Sequence, residues 1–139
     1  MNARARTFSY DVSLDGEWAA HSAIGGSTIP NEEEAWTPEH LVLAALCRCS
    51  LTSFRYHARR AGHEPVARAA AHGVVTRREE DGRFAFVEIR VDLQATLAAP
   101  PSAEDVRELI MKGERDCFIG ASLTAKPDYH WTVNGEDFS

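Results

Sequence analysis

The fold of this chain is decided by one stretch, TPEHLVLAALCRCS at residues 37–50. Thr37 can cap free backbone amides, and Pro38 stands at the first helical position, where its missing N–H costs nothing. Much further along, Gly62 supplies the usual C-terminal stop. Together these signals predict one continuous helix from Pro38 to about Gly62.

The first half of this predicted helix is apolar on every side. All residues from Leu41 to Cys47 are apolar, whereas arginines and a histidine are interspersed with Leu51 and Phe54 in the second half. A helix that is apolar all round is a buried element. At 1.5 Å per residue the helix is about 37 Å long, which exceeds the width of a small domain. We therefore expect a second chain to cover part of it.

Length and composition are those of one ordinary globular domain. The chain has 139 residues, 44% of them hydrophobic and 26% charged, and its net charge is −6. We expect a single domain over residues 1–139, and the negative charge argues against a nucleic-acid or anionic-membrane surface. A polar segment follows Arg4 and Arg6 where a signal peptide would need an apolar one. The sequence therefore predicts a cytoplasmic protein.

Strand patterns precede the helix. Residues from about Thr7 to Leu14 alternate apolar and polar side chains, which is typical of a half-buried strand. Asp15-Gly16 is a hairpin turn signal, and Glu17 to Ile24 gives a second strand that is broken by the glycines after it. The segment that continues through Pro30 and the acidic run Glu32–Glu34 is predicted to be a loop.

Five further elements follow the helix. In order they are a strand at Pro65–Arg77, a strand at Phe84–Leu97, a helix that is capped by Ser102 and ends between Gly113 and Asp116, a short helical turn at Cys117–Leu123, and a strand at Asp128–Val133. The order β-β-α-β-β-α-β has hairpin-sized turns and no βαβ repeat. It predicts an α+β fold with antiparallel sheets and a long buried central helix.

The cysteines are the first candidates for chemistry, and the residues alone leave two interpretations open. Cys49 lies in mid-helix, where the helix dipole gives its thiolate little help, so a reactive Cys49 would need a cation from elsewhere. Alternatively, Cys47 and Cys49 are small hydrophobic side chains that fill a helix core. A metal pair is disfavoured, because residues two apart on a helix point to nearly opposite faces. The six histidines also lack metal-ligand spacing.

A wider pattern resembles a known family. Pro38-Glu39-x-Leu41-x-x-Ala44-x-x-x-x-Cys49, followed by Cys117 after an amphipathic helix, resembles the OsmC/Ohr superfamily of osmotically inducible and organic-hydroperoxide-resistance proteins. The resemblance covers nearly the whole chain. It implies an intertwined homodimer with two long central helices packed together. It also implies an antioxidant stress-response enzyme, a thiol peroxidase that reduces organic hydroperoxides or hydrogen peroxide.

The resemblance also assigns roles to residues. Cys49 matches the family's peroxidatic cysteine, Cys117 the resolving cysteine, and Glu39 the glutamate at the start of the helix. The implied chemistry is a Cys49 sulfenic acid that condenses with Cys117 to a disulfide, which an external dithiol then reduces. The family precedent for the reductant is a lipoyl protein. No metal or flavin cofactor is needed, because sulfur carries out the redox chemistry.

Helix geometry constrains the relation between Glu39 and Cys49. The two residues are ten positions apart on one helix, so they are about 15 Å apart along its axis. They cannot share a site within one subunit unless the helix breaks. In a homodimer with antiparallel central helices, Glu39 of one chain could approach Cys49 of the other. We therefore expect two composite sites per dimer.

One departure from the family favours a different function. Peroxidases of this family carry an activating arginine in the N-terminal strands, but no arginine lies between Thr7 and Cys47. Arg55, Arg60 or Arg90 could substitute, and the sequence does not select one. The alternative is a non-catalytic OsmC-like dimer that binds a small hydrophobic ligand at the subunit interface.

Overall fold

The computed structural model describes residues 6–29 and 35–139. These residues form two compact units, one within Met1–His40 and the other at Leu41–Ser139. The single domain over residues 1–139 therefore stays a prediction. The expected loop at Pro30 and the acidic run Glu32–Glu34, like Arg4, lie outside the described residues. Within the described ranges, every helix is too short or too polar to cross a membrane.

The N-terminal unit contains a small antiparallel sheet. Its strands are β1 (Val12–Leu14), β2 (Ala20–Ser22) and β3 (Ser27–Ile29). The predicted hairpin is confirmed, with Leu14 opposite Ala20, but both of its strands are shorter than the alternating pattern indicated. The strand β3 corrects the expected loop after Gly26. It forms because Gly25 and Gly26, with φ of 114° and 85°, turn the chain back onto β2.

The long helix α1 spans Pro38–Arg60, which confirms the predicted central helix. At its start, Thr37 Oγ1 accepts a hydrogen bond from the His40 amide at 3.3 Å. In return, His40 Nδ1 accepts one from the Thr37 amide, also at 3.3 Å. This reciprocal pair is a capping box in which histidine replaces the usual glutamate. At the other end Gly62, with φ of 88°, closes the last turn as predicted.

The apolar first half of α1 is only partly covered by its own chain. Between Leu41 and Cys47, Leu46 is fully buried, Ala44 is exposed and the remaining side chains are half-buried. Complete burial of such side chains would contribute about 25 cal/mol for each Å² of apolar surface removed from water. The half-buried surface is therefore suited to a partner, although the second chain stays a prediction.

The unit at Leu41–Ser139 contains a four-stranded sheet in the order β4-β5-β6-β7. The strands are β4 (Val66–Arg77), β5 (Phe84–Thr96), β6 (Asp128–Val133) and β7 (Glu136–Asp137). β4 and β5 form the long predicted hairpin, with one bulge between Val74 and Val75. Gly82, with φ of 70°, lies in the connecting turn, and Arg78 pairs with Asp81 there.

The predicted α+β fold with antiparallel sheets is confirmed, except that β6 makes one parallel pair. β6 runs parallel to β5, with Val91 opposite Tyr129. Two helices, α2 (Ala103–Arg115) and α3 (Phe118–Ser122), lie between these strands in the chain. A connection of this length allows the chain to return in the same direction, which a hairpin turn does not. The architecture is therefore mixed α+β, with the predicted helix after Ser102 forming part of a crossover.

The core of this unit lies between one face of the sheet, α1 and α2. Its fully or almost fully buried side chains include Leu46, Phe54, Ala58, Ile89, Val91, Leu93, Val106, Trp131 and Val133. The rings of Phe54 and Trp131 are 4.9 Å apart between centroids. Gly113 lets α2 approach α1 closely, because a Cβ there would lie 3.3 Å from the Phe54 Cα. This packing fixes the middle of α1 and the segment that follows α2.

Candidate active site

The structure brings Cys49 and Cys117 together. Cys49 lies in the middle of α1, half-buried against the core. Cys117 is the N-cap residue of α3 and is completely buried. The two thiols interact directly, and both are free cysteines in this structure. Two thiols that interact within one core can be joined or separated by oxidation and reduction.

The surroundings of Cys49 favour its neutral thiol. Burial is the main cause that raises its pKa above the ordinary value, and the neighbouring Cys117 thiol raises it further. The backbone amides of Ile119 and Phe118 act in the opposite direction by stabilising the thiolate. Apart from burial, the groups that change this pKa among the described residues are Cys117, Ile119 and Phe118, none of which is a cation. The net effect is a poorly ionised thiol.

The arginines considered as activators are engaged elsewhere. Arg60 lies over the ring of Tyr56, 5.7 Å from its centroid. Arg90 makes an ion pair with Asp92 at 2.9 Å. Arg55 lines a groove of about 570 Å³ between α1 and β4. Arg60 and Arg90 therefore have partners of their own, and Arg55 lines the groove on the Cys47 side of α1.

The same groove contains the third cysteine. Cys47, Arg48 and Arg55 line it from α1, and Ala67 and Ala69 line it from β4. Burial raises the pKa of the Cys47 thiol, even though two arginines line the groove. Cys47 is thus on a different side of α1 from the Cys49–Cys117 pair, as the two-residue spacing predicts.

Three residues around Cys117 were not identified from the sequence. The Gly120 amide donates a hydrogen bond to Cys117 Sγ at 3.4 Å, and Ser50 Oγ lies 3.7 Å from the same sulfur. Tyr129 reaches the group from β6, where its hydroxyl interacts with Ser50 and Cys117. The sequence contains one signal for Ser50, because it is a polar residue in the part of the helix that is predicted to be buried. It contains no such signal for Tyr129, because only the crossover brings β6 to this position.

Glu39 is the third residue to which the family resemblance assigns a role. It is an exposed residue in the first turn of α1 and belongs to the N-terminal unit. Its role at the site stays a prediction. In the described part of the chain, no three histidine, cysteine, aspartate or glutamate side chains come together in a way that could hold a metal ion.

A comparison with protein families identifies the group to which this sequence is related. The model of the family described as OsmC-like protein matches residues 31–132. The match covers more than half of the chain and includes α1, β4, β5, most of β6 and both cysteines of the pair. The chain belongs to the OsmC-like family.

Solved structures of the same fold include OsmC-like proteins from several bacteria. An OsmC-like protein of unknown function from Vibrio cholerae is 15% identical, with a TM-score of 0.73 over 92% of this chain and 100% of that one. The organic hydroperoxide resistance protein OhrB of Bacillus subtilis is 20% identical, with a TM-score of 0.58 over 91% and 98% of the two chains.

A third structure is the OsmC-like protein of Mycoplasma pneumoniae, which is 15% identical with a TM-score of 0.65, over 94% of this chain and 99% of that one. No curated protein matches this OsmC-like chain. At these identities the structural likeness establishes the fold. Organic hydroperoxide resistance is named for several of the solved structures that share this fold.

Proposed function

We propose that this chain is a thiol-dependent peroxidase that reduces organic hydroperoxides or hydrogen peroxide. The observation that carries the proposal is the direct interaction of the Cys49 and Cys117 thiols, which lie far apart in the sequence. Membership of a family that includes organic hydroperoxide resistance proteins supports it. The three free thiols fit a reducing compartment, so the proposal places the protein in the cytoplasm.

The proposed reaction begins at Cys49. Its thiolate attacks the terminal oxygen of the hydroperoxide, an S–O bond forms, the O–O bond breaks, and the alcohol or water leaves with a proton. Cys49 is then a sulfenic acid. The Cys117 thiol condenses with it, so that a disulfide forms and water is released. An external dithiol, such as a lipoyl protein by family precedent, reduces the disulfide and restores both thiols.

The proposed assembly is a homodimer. The half-buried apolar residues between Leu41 and Cys47 offer α1 a surface that a second copy would cover. With antiparallel α1 helices, Glu39 of each chain would serve the Cys49 site of the other, giving two composite sites. Sedimentation combined with activity measurements tests this arrangement. A monomer at micromolar concentration with full peroxidase activity would contradict it.

A second function is favoured by one specific observation. Burial raises the pKa of Cys49, and no cationic side chain among the described residues offsets this effect, so the thiolate is scarce at neutral pH. A non-catalytic OsmC-like dimer that binds a small hydrophobic ligand at its interface would need no thiolate. In that case Cys49 and Cys117 would be passive parts of the lining.

One experiment separates the two functions. Reduced protein is mixed with cumene hydroperoxide, and free thiols and intact mass are followed with time. The peroxidase is expected to lose two thiols and two hydrogen masses, and peptide mapping should show the Cys49–Cys117 linkage. Survival of both thiols in excess peroxide would instead support the ligand-binding protein.

A further inference from the structure

The buried thiol of Cys117 is surrounded by hydroxyl groups. Ser50 Oγ lies 3.7 Å from Cys117 Sγ and donates a hydrogen bond to the Leu46 carbonyl at 2.8 Å. The Tyr129 hydroxyl interacts with both Ser50 and Cys117. These three groups come from α1, β6 and the start of α3, so they form a small polar network within an apolar core.

Gly120 makes room for this network. A Cβ on Gly120 would lie 2.5 Å from the Tyr129 hydroxyl oxygen and 3.4 Å from Cys117 Sγ. The first distance is too short for any real contact, so a side chain here would displace the phenol or the helical turn. The absence of a side chain therefore allows the Tyr129 hydroxyl to reach the sulfur.

Disulfide formation, the second stage of the proposed reaction, requires a proton transfer. When Cys117 attacks the Cys49 sulfenic acid, the S–H bond of Cys117 breaks and the S–O bond of Cys49 breaks. The departing hydroxide needs a proton to leave as water. Because Cys117 is completely buried, bulk water cannot take up its proton directly. A group inside the core has to do so.

We propose that Tyr129 is a catalytic residue of disulfide formation, which relays the Cys117 proton together with Ser50. This inference rests on the peroxidase function proposed above. The Tyr129 hydroxyl accepts the proton of Cys117 and passes on its own, and the Ser50 hydroxyl completes the path to the departing oxygen of Cys49. One S–S bond forms, one S–H and one S–O bond break, and one water molecule leaves.

The surroundings of Tyr129 fit a relay of this kind. Burial, followed by the charges of Cys117 and Glu114, raises the pKa of its phenol far above the ordinary value, while the Ser50 hydroxyl lowers it. Glu114 at the end of α2 is itself held by the Trp131 indole at 2.9 Å. Tyr129 therefore stays protonated, so it can exchange one proton for another without carrying a charge.

The test is the variant Tyr129→Phe, which keeps the ring and removes the hydroxyl. Protein is mixed with hydrogen peroxide and quenched at intervals, and intact mass reports the sulfenic acid and the disulfide separately. We expect sulfenic acid to form within about twofold of the wild-type rate, and disulfide formation to slow about 100-fold.

Three further variants sharpen this test. Ser50→Ala should slow the same stage, and Gly120→Ala, which crowds the Tyr129 hydroxyl, should do so with the tyrosine in place. Tyr56→Phe is the matched control, because that side chain is exposed and lies under Arg60. It should leave both stages unchanged. Circular dichroism and thermal melting identify a variant that fails to fold.

The possible failures are distinguishable. Wild-type rates of disulfide formation in Tyr129→Phe would overturn the relay and leave the peroxidase function standing. Absence of both sulfenic acid and disulfide in wild-type protein treated with peroxide would overturn the peroxidase function instead. In that case diamide, a thiol oxidant that needs no peroxide, still allows closure of the Cys49–Cys117 disulfide to be timed. Equal closure rates in wild type and Tyr129→Phe would then count against the relay.

Discussion

Cys49 and Cys47 lie on different sides of α1 and have different neighbours. Cys49 has a thiol partner and two backbone amides, but no described cation lowers its pKa. Cys47 lies in a groove that is lined by Arg48 and Arg55, but it has no described thiol partner. The two residues are neighbours in the sequence and are separated by helix periodicity alone. A reactive cysteine of this kind needs both a second thiol and a nearby cation. In this helix the second thiol is beside Cys49, whereas the arginines line the groove that contains Cys47.

The largest expected effect distinguishes the two cysteines directly. Cys49→Ser should abolish peroxide consumption, because the serine hydroxyl is far too weakly acidic to attack the O–O bond. Cys47→Ser is the matched control and should keep wild-type turnover. Peroxide loss in a coupled assay with excess dithiol measures both variants. If Cys49→Ser retained turnover, Cys49 would not be the peroxidatic residue, and Cys47 in the groove would be the next candidate.

The next prediction compares the contributions of the core side and the groove side of α1 to the free energy of unfolding. Phe54→Ala on the core side should lower the free energy of unfolding by about 3–5 kcal/mol, since it leaves a cavity beside Trp131. Thr52→Ala on the groove side should change it by no more than about 0.5 kcal/mol. Urea denaturation at one fixed protein concentration checks both values. Equal losses would show that the groove side is covered as well as the core side.

The smallest effect concerns pH. Because the pKa of Cys49 is raised, its thiolate fraction and its alkylation by iodoacetamide should rise about tenfold per pH unit between pH 7 and 9. The Cys117 thiol raises that pKa, so Cys117→Ser should shift the whole profile to lower pH. Peptide mass spectrometry follows Cys49 alone. A rate that is already constant at pH 7 would reveal an activating cation that acts on this thiol.

Much of the fold could be predicted because its signals are local. The start at Thr37, the stop at Gly62 and the β4–β5 hairpin all depend on residues within a few positions of each other, and the structure bears them out. The parallel pairing of β6 could not be predicted in the same way. It depends on how α2 and α3 pack across the sheet, which no short stretch of sequence encodes.

Only part of the candidate site could be predicted, because the rest depends on contacts between residues that are remote in the chain. Cys49 and Cys117 were singled out through the family resemblance, and the structure shows that their thiols interact. The roles of both, and of Glu39, stay predictions. Ser50, Gly120 and Tyr129 were not identified, because their importance depends on distances across the core rather than on spacing along the chain.

The sequence by itself determined α1: its ends, its apolar first half, and the separation of Cys47 from Cys49 around the helix axis. Capping hydrogen bonds and helical periodicity involve residues three or four positions apart, so they can be predicted from a short stretch of sequence. Only the tertiary structure decided that Cys117 meets Cys49, and that Tyr129 and Ser50 meet Cys117. Those meetings follow from the packing of α1, α3 and β6 around one core, where side-chain shape and burial act between residues that are remote in the chain.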